Sequence, residues 1–228
     1  MLTDPIERSC IILRMSETKL AHVGEITRRL NVLYPDAAVE LEYANAFQLM
    51  IASILAAQNT DVNVNKITPV LFRKYKGPQD FVDVDQEELE RDIYASGFFR
   101  QKAKSIKAVS QRLLEDFGGE VPTTMEEMLK LPGIGRKTAT VVLGEALGIA
   151  SGIVVDTHNL RLSLLLGISE QKNADKVERE LLELVPQSEW IKYGQLVTWH
   201  GRRVCNAKKP KCVECTLADI CPSVKIST

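Results

Sequence analysis

Apolar residues recur along this chain at intervals of three and four, and almost nowhere in strict alternation. The pattern therefore predicts helices throughout and no sheet. Residues 19–33 carry helical spacing. Residues 46–57 are apolar on nearly every side, with Asn45 placed to cap them, which predicts a helix buried at the centre of a bundle. Asp61 is positioned to cap a helix reaching about Tyr75, and Asp85 opens a short acid-rich one. From Phe99 to Phe117, helical spacing at Ile106, Val109, Leu113 and Leu114 ends at Gly118-Gly119, a C-terminal stop. Thr123 and Glu126 form the capping-box pattern of a short helix ending near Leu131. Further helices are expected from Arg136, from Thr157, and over 173–185 and 189–203. The fold class is all-α, without repeats, low-complexity tracts or flexible linkers.

A length of 228 residues with 45% apolar content gives a sizeable core, between one ordinary domain and two small ones. Charges interrupt the first twenty residues, so no signal-peptide core or membrane span is expected, and the predicted location is cytoplasmic. The net charge of −1 argues at first against a nucleic-acid ligand. Its distribution changes that picture. Arg100, Lys102, Lys104, Lys107 and Arg112 fall between Phe98 and Arg112 without an acid, as do Arg202, Arg203, Lys208, Lys209 and Lys211 between Gly201 and Val213. Acids crowd instead into residues 80–92. Both basic stretches are candidates for phosphate contact, although plain solvated helix surface also produces charge runs.

Three motifs carry chemistry. In Leu131-Pro132-Gly133-Ile134-Gly135-Arg136-Lys137-Thr138, Pro132 ends one helix, the glycines allow a tight turn, and a new helix follows at once. Backbone N–H groups of Gly133, Gly135 and Arg136 at such a turn form an anion site suited to a DNA phosphate and indifferent to base sequence. Lys137 then sits in the first turn of a helix, where the dipole disfavours an ammonium. A free amine there is a nucleophile able to attack a sugar carbon and form a Schiff base. In Val154-Val155-Asp156-Thr157-His158, a short apolar run delivers Asp156 to a helix start. There it serves as an N-cap and keeps a carboxylate edge for assisting proton transfer or stabilising positive charge on a sugar. Thr157 and His158 are assigned to local packing.

The third motif is a set of four cysteines, Cys205, Cys212, Cys215 and Cys221, separated by six, two and five residues in one short loop. Only Cys212 and Cys215 form a close pair. Uneven spacing suits one [4Fe–4S] cluster better than zinc, which remains the rival ligand. Cys10 is left over as a spare thiol. Lys208, Lys209 and Lys211 lie between the first two cysteines, so a cluster would brace a basic loop that has no core of its own.

The combination of LPGIGRKTATVVL, VVDTH, HGRRVC and the cysteine spacing resembles endonuclease III, in the helix-hairpin-helix DNA glycosylase superfamily, over about residues 20–221. The resemblance implies a six-helix barrel with the helix-hairpin-helix motif over 39–150 and a cluster domain over 151–228. Residues 1–38 would pack with the cluster domain, and DNA would lie in the groove between. It implies a bifunctional DNA glycosylase and AP lyase with Lys137 as nucleophile and Asp156 as catalytic carboxylate. As partner it implies double-stranded DNA containing damaged pyrimidines or abasic sites, bound by a nucleoid-associated monomer. Gln58 would enter the gap left by an extruded base, and Phe98, where the family often has an aliphatic residue, would wedge against the opposite strand. Residues 1–15 precede the family's usual start. Two alternatives stay open: a monofunctional adenine or mismatch glycosylase using activated water, and a non-catalytic DNA-binding module with a zinc-stabilised tail. The adenine type carries a carboxylate on the helix before the glutamine, and residues 46–57 contain none.

Overall fold

The computed structural model describes residues 5–224, with side chains from Glu17 onward. Among the described residues the chain is all-helical, and it divides into two compact units. One joins the chain up to Ala38 to the chain from Gly152 on; the other is Val39–Ser151.

The Val39–Ser151 unit holds α2 (Ala46–Ala56), α3 (Asp61–Lys74), α4 (Pro78–Asp83), α5 (Gln86–Asp92), α6 (Phe99–Phe117), α7 (Met125–Met128) and α8 (Arg136–Val141), the last continuing into a π turn, Val142–Ala146. Helix α2 packs against α3, α6, α8 and the π turn. Leu49, Met50, Ile51 and Leu55 on it have no exposed surface. Each such side chain withdrawn from water contributes about 2 kcal/mol, so a helix apolar on nearly every side is most stable at the centre. Ala103, Ile106, Val109 and Leu113 form the buried stripe of α6, and Gly118, with φ of 61°, ends that helix in the left-handed conformation.

The other unit holds α1 (Pro5–Leu33), α9 (Thr157–Leu165), α10 (Ala174–Leu184) and α11 (Trp190–Arg203). Val23, Ile26 and Leu30 of α1 share one core with Leu162, Leu181, Tyr193, Leu196 and Leu217. A Cβ at Gly201 would stand 2.9 Å from the His158 Cβ, so the glycine is what lets α9 and α11 close on each other. Arg29 of α1 donates to the Thr216 carbonyl at 2.9 Å and pairs with Asp219, fastening the C-terminal loop to the helical core.

Several boundaries differ from expectation. The first helix begins at Pro5 rather than near residue 19, and the spare thiol Cys10 lies outside the described side chains. Thr60, not Asp61, caps α3 by accepting from the Asn63 N–H at 3.2 Å. The N-cap of α7 is shifted by one residue, with Thr124 accepting from the Glu127 N–H at 3.3 Å and its hydroxyl donating to the Glu127 carboxylate at 2.8 Å. In both places two adjacent residues can cap, and packing selects between them. Helix α4, capped by Asp80 reaching back to the N–H groups of Lys76 and Gly77, had no strong periodic signal at six residues.

Candidate functional site

Helices α7 and α8 pack on each other across the turn that Pro132 and Gly133 make between them. Gly133 has φ of 77°, a conformation glycine adopts without penalty, and a Cβ there would meet Ser105 at 3.5 Å. Gly135 is different: its φ is −90°, it is the N-cap of α8, and a Cβ there would meet nothing. Only one of the two glycines is thus required by backbone geometry, while the other keeps the helix start open. Lys137 is the second residue of α8 and is exposed. Among the described residues its ammonium has no hydrogen-bond or ion-pair partner. An unpaired amine at a helix start is available to an incoming group.

Asp156 is the N-cap of α9, as the sequence predicts, and accepts the Asn159 backbone N–H at 2.8 Å through Oδ1. Asn159 is fully buried, and its side-chain amide donates to the Val154 carbonyl at 3.0 Å. The chain before Asp156 and the carboxylate itself are therefore fixed by one residue. Sequence reasoning missed Asn159, although its place three residues after a cap is a legible signal. The second carboxylate oxygen of Asp156 has no partner among the described residues. A half-buried carboxylate with one oxygen committed and one open can polarise or deprotonate a bound group.

The four cysteines line a cavity of about 390 Å³, with Arg161, His200 and Lys211 also in its wall. Among the described residues no three His, Cys, Asp or Glu side chains converge on a point as a single metal ion requires. Four thiols lining one cavity are a donor set that suits an iron–sulfur cluster. Arg161 donates to Cys205 Sγ at 3.7 Å and to the Gly201 carbonyl at 3.3 Å, and the Leu217 N–H donates to Cys215 Sγ at 3.4 Å. Burial pushes the Cys215 thiol up, and the neighbouring thiols Cys205, Cys221 and Cys212 add to it. Burial raises Cys221 likewise. A cationic group among them would reverse that penalty. His200 lies 3.4 Å from Cys215 Sγ, and burial with Arg161 nearby pushes its pKa down to about 4, so it brings no charge.

Gln58 and Phe98 share a property that composition cannot reveal: both are non-glycine residues at positive φ, 54° and 49°. Such conformations cost on the order of 1–2 kcal/mol each and persist only where the surroundings impose them. Phe98 is 66% exposed and Gln58 is exposed, with no side-chain partner for either among the described residues.

The cations of the first basic stretch are largely engaged within the protein. Lys102 is buried, Lys107 donates to the carbonyls of Val82 and Val84, Arg112 pairs with Asp116 and Arg100 with Glu90. The signal was available, because Lys102 stands four residues before Ile106 and thus on the buried stripe. The second stretch keeps its three lysines outward. Lys208, Lys209 and Lys211 are exposed and unpaired among the described residues, whereas Arg203 stacks on Trp199 with its guanidinium carbon 3.5 Å from the ring centroid.

Residues 51–187 match the family model described as HhH-GPD superfamily base excision DNA repair protein. Endonuclease III of Synechocystis sp. is 45% identical over 216 residues, covering 95% of this chain and 99% of that protein. Endonuclease III of Bacillus subtilis is 43% identical over 194 residues, covering 85% and 88%. Among solved structures, a trapped endonuclease III–DNA covalent intermediate superposes with a TM-score of 0.86 at 39% identity, covering 90% of this chain and 96% of that one. A thermostable thymine-DNA glycosylase superposes with a TM-score of 0.79 at 26% identity, covering 92% and 98%.

Proposed function

The chain belongs to the endonuclease III family, within the HhH-GPD superfamily of base excision DNA repair proteins, and from that membership we propose how its own residues divide the chemistry. It is a bifunctional DNA glycosylase and AP lyase of base excision repair. Its substrate is duplex DNA carrying an oxidised pyrimidine or an abasic site, on which it acts as a monomer in the nucleoid. Among the described residues no helix is long and apolar enough to cross a membrane.

The observation that carries this reading is the exposed, unpaired Lys137 directly after the glycine turn. Gly133, Gly135 and Arg136 hold a phosphate through backbone N–H groups, bringing the sugar to the lysine. The neutral Lys137 amine attacks C1′, the glycosidic bond breaks, and the base leaves with the bonding pair. Asp156 favours the neutral form of the amine and stabilises the positive charge on the sugar, and the proton that the amine sheds goes to the departing base. Opening of the ring gives an imine between Lys137 and C1′, which makes the C2′ proton acidic. Its loss expels the 3′ phosphate, nicking the strand, and water then cleaves the imine and restores the lysine. Gln58 fills the gap left by the extruded nucleotide, and Phe98 props the opposite strand.

Cys205, Cys212, Cys215 and Cys221 would hold one [4Fe–4S] cluster, whose bonds to sulfur would brace a loop in which only Leu217 is fully buried among the described residues. Lys208, Lys209 and Lys211 then present fixed charges to the phosphate backbone. A panel of duplexes, each with one oxidised pyrimidine, tests the whole assignment by following base release and strand nicking together. Both products should form from the same duplex. Base release without nicking would favour the monofunctional alternative, and binding without release the non-catalytic one.

A further inference from the structure

Lys102 is only 5% exposed, yet its ammonium meets no carboxylate among the described residues. It donates instead to two carbonyls, Leu55 at 2.8 Å and Ser96 at 2.7 Å. Leu55 lies in the last turn of α2, and Ser96 ends the 3₁₀ turn Tyr94–Ser96. A cation at a helix C-terminus satisfies orphan carbonyls and complements the dipole, and here one cation does so for two segments at once. Each segment leads directly into a strained residue: Gln58 follows three positions after Leu55, and Phe98 two after Ser96. The backbone N–H of Lys102 adds a third hold, donating to the Phe98 carbonyl at 3.0 Å.

Two asparagines tie the same loops side by side. Asn59 Nδ2 donates to the Ser96 carbonyl at 3.0 Å, and Asn63 Nδ2 donates to the Ala95 carbonyl at 2.8 Å and to Asn59 Oδ1 at 3.1 Å. A buried ammonium is an expensive way to fill space, since methionine has similar volume without the desolvation cost. What methionine cannot do is hold two carbonyl ends at a fixed separation. We infer that Lys102 is the positioning residue that locks Gln58 and Phe98 into one rigid element for entry into the DNA duplex. This rests on Gln58 and Phe98 being the groups that enter the duplex. Side chains already in place lose little freedom on binding, which lowers the cost of holding a base outside the stack.

The test uses the full chain with Lys102→Met, Asn63→Ala, Gln58→Ala and Phe98→Ala. The substrate is a duplex carrying one oxidised pyrimidine beside 2-aminopurine, whose fluorescence rises on unstacking. A second substrate holds the same lesion in an unpaired bulge. Under single-turnover conditions at saturating enzyme, Lys102→Met should reduce the fluorescence rise and slow excision from the duplex about tenfold or more. Excision from the bulge should stay within about twofold of wild type. Asn63→Ala, at a half-exposed position, should shift both readouts in the same sense to a smaller extent, and it decides the matter if Lys102→Met does not fold. Equal slowing on both substrates, or unchanged duplex excision, would reduce Lys102 to a packing role. If Gln58→Ala and Phe98→Ala themselves left the duplex reaction unchanged, the underlying assignment of those two side chains would fail, and the inference with it.

Discussion

Asn159 holds Asp156 from the third position of the helix that Asp156 caps, its backbone N–H lying 2.8 Å from the carboxylate. This contact separates structural from chemical duty, because an amide oxygen can accept the same bond. Asp156→Asn should keep the fold and DNA binding while base excision falls by on the order of a hundredfold. Thermal unfolding and single-turnover excision measured on one preparation check both halves. Near-normal excision would leave Asp156 as a cap alone.

The outward cations of the cysteine loop predict a salt effect. Replacing Lys208 and Lys209 by Ala should weaken binding to every DNA sequence and flatten the plot of log affinity against log salt by up to about two units of slope. An unchanged slope would return both lysines to solvated surface.

Four thiols around one cavity predict the composition of the purified protein. It should be yellow-brown, with iron and acid-labile sulfide near four of each per chain. Removing the iron should loosen the loop between Cys205 and Cys221, read as faster proteolysis there, because Leu217 is the one fully buried side chain in that stretch. Stoichiometric zinc without sulfide would contradict the assignment.

The approach of α9 to α11 depends on a missing side chain. Gly201→Ala places a Cβ 2.9 Å from the His158 Cβ, an atom anchored to backbone that cannot rotate away. Destabilisation of about 1–3 kcal/mol is expected, measured by denaturant unfolding. An unaffected midpoint would mean that the two helices separate freely.

What could be read from the sequence follows from how local each determinant is. The central place of α2 was legible because nearly every face is apolar, and the Asp156 cap because an apolar run ends at a helix start. The choice of Thr60 over Asp61, and of Thr124 over Thr123, was not, since neighbouring residues offer the same acceptor and distant packing decides. Counting charges between Phe98 and Arg112 found a run of cations, but a count ignores which face each residue occupies. Lys102 falls on the stripe of Ile106 and Leu113 and turns inward. The positive φ at Gln58 and Phe98 had no sequence signal, because neither residue favours that conformation, and carbonyl contacts from elsewhere in the fold accompany it. The π turn after Val141 was likewise invisible, as it continues an apolar helical run without a break.

The central claim is a covalent bond between Lys137 and the sugar, and borohydride trapping measures it directly. Borohydride reduces an imine to a stable amine, so the enzyme mixed with DNA bearing an intact oxidised pyrimidine should become permanently crosslinked. Lys137→Gln removes the amine from an exposed position, where stability should change by less than about 0.5 kcal/mol. The intact base is the decisive substrate, since any nearby lysine can react with the aldehyde of a pre-formed abasic site. Lys137→Gln should fold, keep its iron and bind the damaged duplex, yet give neither crosslink nor free base. Release of that base by Lys137→Gln at a rate comparable to wild type would contradict the lysine mechanism and leave a water-using glycosylase in its place.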